Sequence, residues 1–211
     1  MIKKTLTALL LSGAFAPAHA GVLLQQGFDD INALPGWVMT NASTPGGLVP
    51  GWFQGDQQVF ASHSGAPNSY LAANYNNAPF GGNISNWLLT PEFSTQTAVT
   101  ISLWLRGGAD PNYFDQVAFG FSNGGAAIGA FTVNPVITLP TDGWTLYTVN
   151  LGAQGAGTTG RFGIQYTGMA DNANYIGVDD LNISQIPEPA SMLLMATGMI
   201  GLAAARRRRR G

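Results

Sequence analysis

Residues 21–186 of this 211-residue chain predict an all-β fold, a two-sheet antiparallel sandwich of the jelly-roll kind. Three observations predict it. The region is rich in Gly, Asn, Thr, Ser and aromatic residues, contains a single glutamate and no lysine, and so disfavours long helices. Several windows alternate apolar and polar residues with period two. Clusters of turn-forming residues separate those windows at short intervals.

Taken in order, Val22–Phe28, Trp37–Thr40, Val59–Ser62, Ser69–Asn74 and Trp87–Thr90 are expected as strands. The clearest alternation follows. Val99, Ile101, Leu103 and Leu105 interleave with Thr100, Ser102 and Trp104, and Val117, Phe119 and Phe121 interleave with Gln116, Ala118 and Gly120. Gly129–Val133 and Trp144–Leu151 come next, then Phe162, Ile164 and Tyr166 set against Gly163 and Gln165, and Tyr175–Ser184 closes the series. Turns fall at 44–47, 79–82, 107–111, 122–125 and 141–143, each rich in Gly, Pro, Asn or Asp. The closing strand changes phase. Ile176 and Val178 share one parity, Leu181 and Ile183 the other. A one-residue slip turns every later side chain over, and a β-bulge at Asp179-Asp180 would absorb it. The alternative is that the strand ends there, with both carboxylates in solvent. No internal repeat or linker divides the region.

The flanks carry addresses. Lys3 and Lys4, the apolar run Leu6–Phe15 and Ala18-His19-Ala20 before Gly21 form a secretory signal peptide, an N-terminal helix cut between Ala20 and Gly21. At the other end stand Pro187-Glu188-Pro189, an apolar stretch from Ala190 to Ala205 and the basic run Arg206–Arg210. As a helix, 16 residues at about 1.5 Å each reach about 24 Å, a short transmembrane helix beside a hydrocarbon core of about 30 Å. The arginines would hold its C-terminal side in the cytoplasm, leaving the upstream domain outside. This three-part tail resembles the PEP-CTERM sorting signal of Gram-negative bacteria. The resemblance implies transient anchoring in the inner membrane, processing by an exosortase near Pro187-Glu188-Pro189, and delivery to the cell surface or beyond. A weak single-pass anchor is the plainer alternative. The chain therefore divides into residues 1–20, 21–186 and 187–211.

Charge and cysteine content exclude several functions. Arg106 and Arg161 are the only cations in 21–186, against ten carboxylates, so this region carries about −8 where the whole chain carries −2. Two scattered arginines do not neutralise a run of phosphates, so no nucleic-acid partner is expected. The absence of cysteine excludes thiol catalysis, zinc-thiolate sites and iron–sulfur clusters.

The region also resembles the choice-of-anchor J family, related to cleaved-adhesin and MAM-like jelly rolls. The matching residues are Gln26-Gly27-Phe28-Asp29-Asp30, Leu34-Pro35-Gly36-Trp37, Asn86-Trp87-Leu88-Leu89-Thr90-Pro91 and Ile176-Gly177-Val178-Asp179-Asp180-Leu181. The resemblance implies an extracellular, often adhesive jelly roll that commonly carries a structural calcium ion. Asp29 stands where the family often has Glu. Calcium takes six to eight oxygen ligands, and pairing of the first and last strands would bring Asp29 or Asp30 to Asp179 or Asp180.

Other motifs carry less. Gly120-Phe121-Ser122-Asn123-Gly124 fits the nucleophile elbow, but a Gly-rich turn and a further strand follow it, and no histidine lies downstream. Gly155-Ala156-Gly157-Thr158-Thr159-Gly160 fits the dinucleotide pattern but precedes a strand instead of opening a helix. His63, flanked by Ser62 and Ser64, is the only histidine of the region and reads as a turn residue. Glu92 has no marked partner for glycosidase chemistry. Among the tryptophans, Trp37, Trp87 and Trp144 read as core. Trp104, on the polar parity of its strand, and Trp52, in a loop, are candidates for a glycan-stacking platform. The expected product is an exported, non-catalytic surface or matrix protein, structural or adhesive and associated with exopolysaccharide. A glycan-specific binding module is the main alternative and a hydrolase the third.

Overall fold

The period-two windows fold as strands, and their apolar parity faces one core. In the computed structural model, residues 20–47, 51–187, 198–199 and 206 are described. Among them the strands are β1 (Val22–Gln26), β2 (Val38–Asn41), β3 (Phe53–Gln54), β4 (Leu71–Asn74), β5 (Asn83–Leu89), β6 (Phe93–Ser94), β7 (Val99–Gly107), β8 (Gln116–Ser122), β9 (Thr132–Val133), β10 (Ile137–Thr138), β11 (Thr145–Leu151), β12 (Thr159–Met169) and β13 (Tyr175–Gln185). One sheet runs β11-β7-β13-β4-β3, with β1 also paired to β13. The other runs β10-β8-β12-β5-β2, with β6 on β12 and β9 on β8. The strand pairs are antiparallel, as in a jelly roll. The signal-peptide helix and the bulk of the transmembrane stretch lie outside the described residues. No helix among the described residues is long and apolar enough to cross a membrane.

Strand β7 shows the pattern most plainly: Val99, Ile101, Leu103 and Leu105 are buried, while Thr100, Ser102, Trp104 and Arg106 are half-buried on the outer face. The inward set packs on Phe119, Phe162, Ile164, Val178, Leu181 and Ile183. Burying side chains of this size stabilises by about 1.5–3 kcal/mol each. Two of the expected strands form differently. Val59–Ser62 is turn and loop, and Gly129–Val133 divides into a 3-10 turn at Ile128–Ala130 and the short β9.

The phase slip in β13 is a bulge. Asp179 opposes Trp104, and the next pair is Asn182 with Ser102, so Asp180 and Leu181 face Leu103 alone. Asp180 takes φ 46, in the left-handed region. The bulge falls where β13 exchanges neighbours. Tyr175 to Val178 pair with β4, and Leu181 to Ser184 pair with β1. The first and last strands thus pair, and the exchange leaves a gap beside Asp179-Asp180.

Candidate functional site

The loop at 55–69, between β3 and β4, covers the outer face of the first sheet and closes over that gap. Its anchor is Phe60, which stacks on Tyr70 at 5.1 Å and meets Trp144 and Tyr175 edge-on. The Arg106 guanidinium lies 4.5 Å above the Phe60 ring. Gly177 makes this seating possible, since a Cβ there would stand 2.7 Å from Trp144 Cη2 and 2.8 Å from Phe60 Cε2.

At the far end of the loop, His63 and Ser64 reach the bulge. Asp179 is fully buried, and its Oδ2 accepts from the backbone N–H of His63 at 2.8 Å and of Ser64 at 3.2 Å. Its Oδ1 accepts from the Asp180 N–H at 2.7 Å. Burial pushes the Asp179 carboxyl up to about 6, against the pull of those three donors. Asp180 faces outward: Oδ2 meets His63 Nδ1 at 2.6 Å and Oδ1 accepts from Ser64 Oγ at 2.9 Å. The His63 imidazole lies flat on Trp104, with centroids 3.8 Å apart.

Histidine, serine and aspartate meet here without forming a nucleophilic triad. That chemistry needs serine on one imidazole nitrogen and the carboxylate on the other. Here serine and imidazole both bind the same carboxylate. Gly120-Phe121-Ser122-Asn123-Gly124 is a strand end and turn, in which Ser122 Oγ donates to the Gly125 carbonyl at 2.7 Å. The sequence offered no signal for the His63–Asp180 pair beyond the isolation of that histidine in the domain.

The four aspartates expected to share calcium are only partly brought together. Asp30 turns away and caps the 3-10 turn at Ile31–Ala33. Asp29 stays by the loop: a Cβ at Gly65 would lie 3.3 Å from Asp29 Oδ1. Among the described residues, no three carboxylate or imidazole groups are placed to hold one ion. Each of the four carboxylate oxygens of Asp179 and Asp180 already meets an N–H, O–H or imidazole group. In this arrangement the four aspartates do not form one calcium set. The melting temperature is therefore expected to be unmoved by a chelator. A fall of several degrees would return the ligand role to Asp29, Asp179 and Asp180.

The two tryptophans expected as a glycan platform are not brought together. Trp52 is 6% exposed and belongs to the main core, because the segment around β3 turns inward against Leu71 and Ala73. Trp104 stands half-buried on the outer face as its parity requires, with His63 stacked on its ring. Of the tail motif, Pro187 is described, while Glu188 and Pro189 lie outside the described residues. Ala20 and Gly21 precede β1, and the Gly21 carbonyl accepts from the Gln185 N–H at 2.8 Å.

Residues 185–210 match the family of the PEP-CTERM protein-sorting motif. The sandwich is similar to the K3 cleaved adhesin domain of Lys-gingipain from Porphyromonas gingivalis W83, with TM-score 0.60 and 24% identity over 79% of this chain and 99% of that one. The K1 cleaved adhesin domain of the same protein gives TM-score 0.60 at 21% identity, over 77% and 98% of the two chains. The CBM22-2 xylan-binding domain of Paenibacillus barcinonensis Xyn10C gives 0.51 at 12% identity, over 77% and 99%. At these identities the likeness is one of fold. No curated protein matches the chain in sequence. The chain thus carries a PEP-CTERM protein-sorting motif directly behind a domain with the jelly-roll fold of the cleaved adhesins.

Proposed function

We propose that this is an exported, non-catalytic protein of a Gram-negative cell surface or extracellular matrix, processed by an exosortase, with structural or adhesive work among exopolysaccharides. The observation that carries the reading is where the sorting motif lies. It begins at residue 185, the last residue of β13. The domain holds the chain as far as Ile186, whose N–H donates to the Ala98 carbonyl at 2.8 Å. No linker intervenes, so four residues, 186–189, separate the strand from the apolar stretch. They span at most about 14 Å. Before cleavage this short segment would be the tether between the sandwich and the apolar stretch. Cleavage within this short polar segment frees the sandwich without cutting into a strand.

The absence of triad geometry at His63 and the burial of Asp179 and Asp115 support a binding or building role over a hydrolytic one. The fold shared with a xylan-binding domain supports placing that role among glycans. Mass spectrometry of protein recovered from the cell surface is expected to find its C-terminus at residues 187–189. Recovery of surface protein still ending in Arg206–Arg210 would overturn the processing step.

A further inference from the structure

The strands cross between the two sheets at one end of the sandwich through β4–β5, β7–β8 and β12–β13, and the three connections enclose a cleft. Tyr75, Phe80, Asp110, Tyr113, Asp171 and Asn174 line its larger lobe, of about 380 Å³. A second lobe of about 310 Å³ shares Tyr75, Phe80 and Asp171 and continues past Pro79. Each lobe falls within the roughly 300–1,000 Å³ of small-ligand sites.

Three rings stand in solvent around it. Phe80 is 92% exposed, Tyr75 47% and Tyr113 41%. An exposed phenylalanine at a turn tip forfeits about 1.5–3 kcal/mol of burial. The turn that presents it is fixed: the Gly81 N–H donates to Asp171 Oδ1 at 2.5 Å, and the Ala170 N–H donates to the Gly82 carbonyl at 2.9 Å. The other walls are tied across the cleft. The Tyr75 N–H donates to the Asn174 carbonyl at 3.0 Å, and the Phe114 N–H donates to the Asn172 carbonyl at 2.8 Å. Beneath them Asp115 receives the Asn174 N–H at 2.8 Å. These ties hold the wall backbones in place before any ligand arrives, which reduces the cost of ordering them on binding.

The charge of the cleft selects among ligands. Asp110 and Asp171 are its ionisable acids, and neither cation of the domain lines it. Arg106 lies on Phe60, and Arg161 is taken up by Glu92 and the carbonyls of Thr90 and Gly36. Uronate, sulfate and phosphate groups would meet carboxylates with no counter-charge. A neutral sugar chain presents C–H faces to the rings and hydroxyl donors to Asp110, Asp171 and the Asn174 amide. We infer that this cleft, and not the Trp104 face, binds a neutral, linear oligosaccharide segment that crosses Phe80 and places successive sugar units in the two lobes. The inference rests on the exopolysaccharide reading above and assigns its site.

The test uses the full chain in a non-glycosidic detergent. It is titrated calorimetrically with exopolysaccharide of the producing cell, separated by anion exchange into neutral and acidic fractions. The neutral fraction is expected to bind saturably and to bind equally in about 0.5 M salt, where exposed charges are screened. Phe80→Ala and Tyr113→Ala are each expected to weaken binding roughly tenfold, the equivalent of about 1.4 kcal/mol, with the melting temperature unchanged. Trp104→Ala is expected to leave binding intact. Neutral binding that survives both cleft variants would overturn the site and leave the exopolysaccharide reading standing. Binding confined to the acidic fraction, or lost in salt as a cationic contaminant's would be, overturns the ligand class. Failure of both fractions to bind overturns the exopolysaccharide reading itself.

Discussion

Asp115→Ala is expected to destabilise the domain by about 4 kcal/mol, a large part of the 5–15 kcal/mol that holds a typical domain together. Asp115 is 1% exposed, and its carboxylate is the shared acceptor for three groups from two other segments. Tyr166 Oη donates to Oδ1 at 2.6 Å, the Asn174 N–H to the same oxygen at 2.8 Å, and the Tyr175 N–H to Oδ2 at 3.2 Å. Alanine leaves all three donors without a partner in a dry site, at about 1–3 kcal/mol for each group. Partial relaxation keeps the total below the sum of the upper values. Burial raises the Asp115 carboxyl above the usual carboxylate range, while its donors pull it back. A group raised in the folded state contributes more stability when protonated, so its contribution falls as pH rises out of the acid range. Urea unfolding should show the midpoint falling with little change in slope. A shift below about 1 kcal/mol would mean that water replaces the carboxylate, and that this corner is wetter than its burial implies. Because the same carboxylate fixes Asn174 and Tyr175, the variant is also expected to lose the cleft above it.

How much of this was legible in the sequence depends on how local the cause is. The long strands were legible because alternation is written along one segment: β7 keeps its inward parity from end to end, and β12 keeps it from Gly160 to Tyr166 apart from buried Gly163. The bulge in β13 was half legible: the slip of parity between Val178 and Leu181 is local, but it fits a strand end as well as a bulge, and only the pairing with β7 decides. The loop at 55–69 was not. Val59 and Phe60 have the residue types of a strand, yet Phe60 is drawn onto the outer face by Tyr70, Trp144 and Tyr175, which come from three other places in the chain. Trp52 sits in a loop-like, Gly-flanked stretch, and no local pattern says that it turns inward. His63 and Asp180 are 117 residues apart, and the pairing that seats Trp104 beside them depends on the β7–β13 register. Asp29 and Asp30 are neighbours in sequence, but Asp30 is extended, with φ -142 and ψ 114, and is taken up as the cap of the turn at Ile31–Ala33. The cleft is the extreme case. Tyr75 and Tyr113 lie in Asn- and Gly-rich stretches, and Phe80 lies in a turn cluster. Only the crossing of chains between two sheets makes them one surface.

Asp179 carries the second large effect, and its sign depends on pH. Asp179→Ala removes the acceptor of three backbone N–H groups, those of His63, Ser64 and Asp180, and is expected to cost about 3 kcal/mol while releasing the loop from the bulge. Asp179→Asn isolates the charge instead, because the amide mimics the protonated acid. The folded-state value, pushed up to about 6 by burial with Asp180 adding repulsion, lies above the 3.8 of the free side chain. The native domain therefore holds this proton more tightly than the unfolded chain. Its stabilising contribution is complete below about pH 4 and is lost as pH rises through 6. Screening at the mouth of the loop limits the change to about 2 kcal/mol. The stability of the wild-type domain relative to Asp179→Asn is expected to rise by about 2 kcal/mol from pH 7 to pH 4. At neutral pH the variant escapes the cost of a buried charge, but its amide turns an N–H₂ toward one of the three N–H donors, so the two proteins should differ little there. A difference curve that is flat between pH 4 and 7 would show that solvent reaches Asp179. The 55–69 loop would then be an open flap over the bulge instead of its lid.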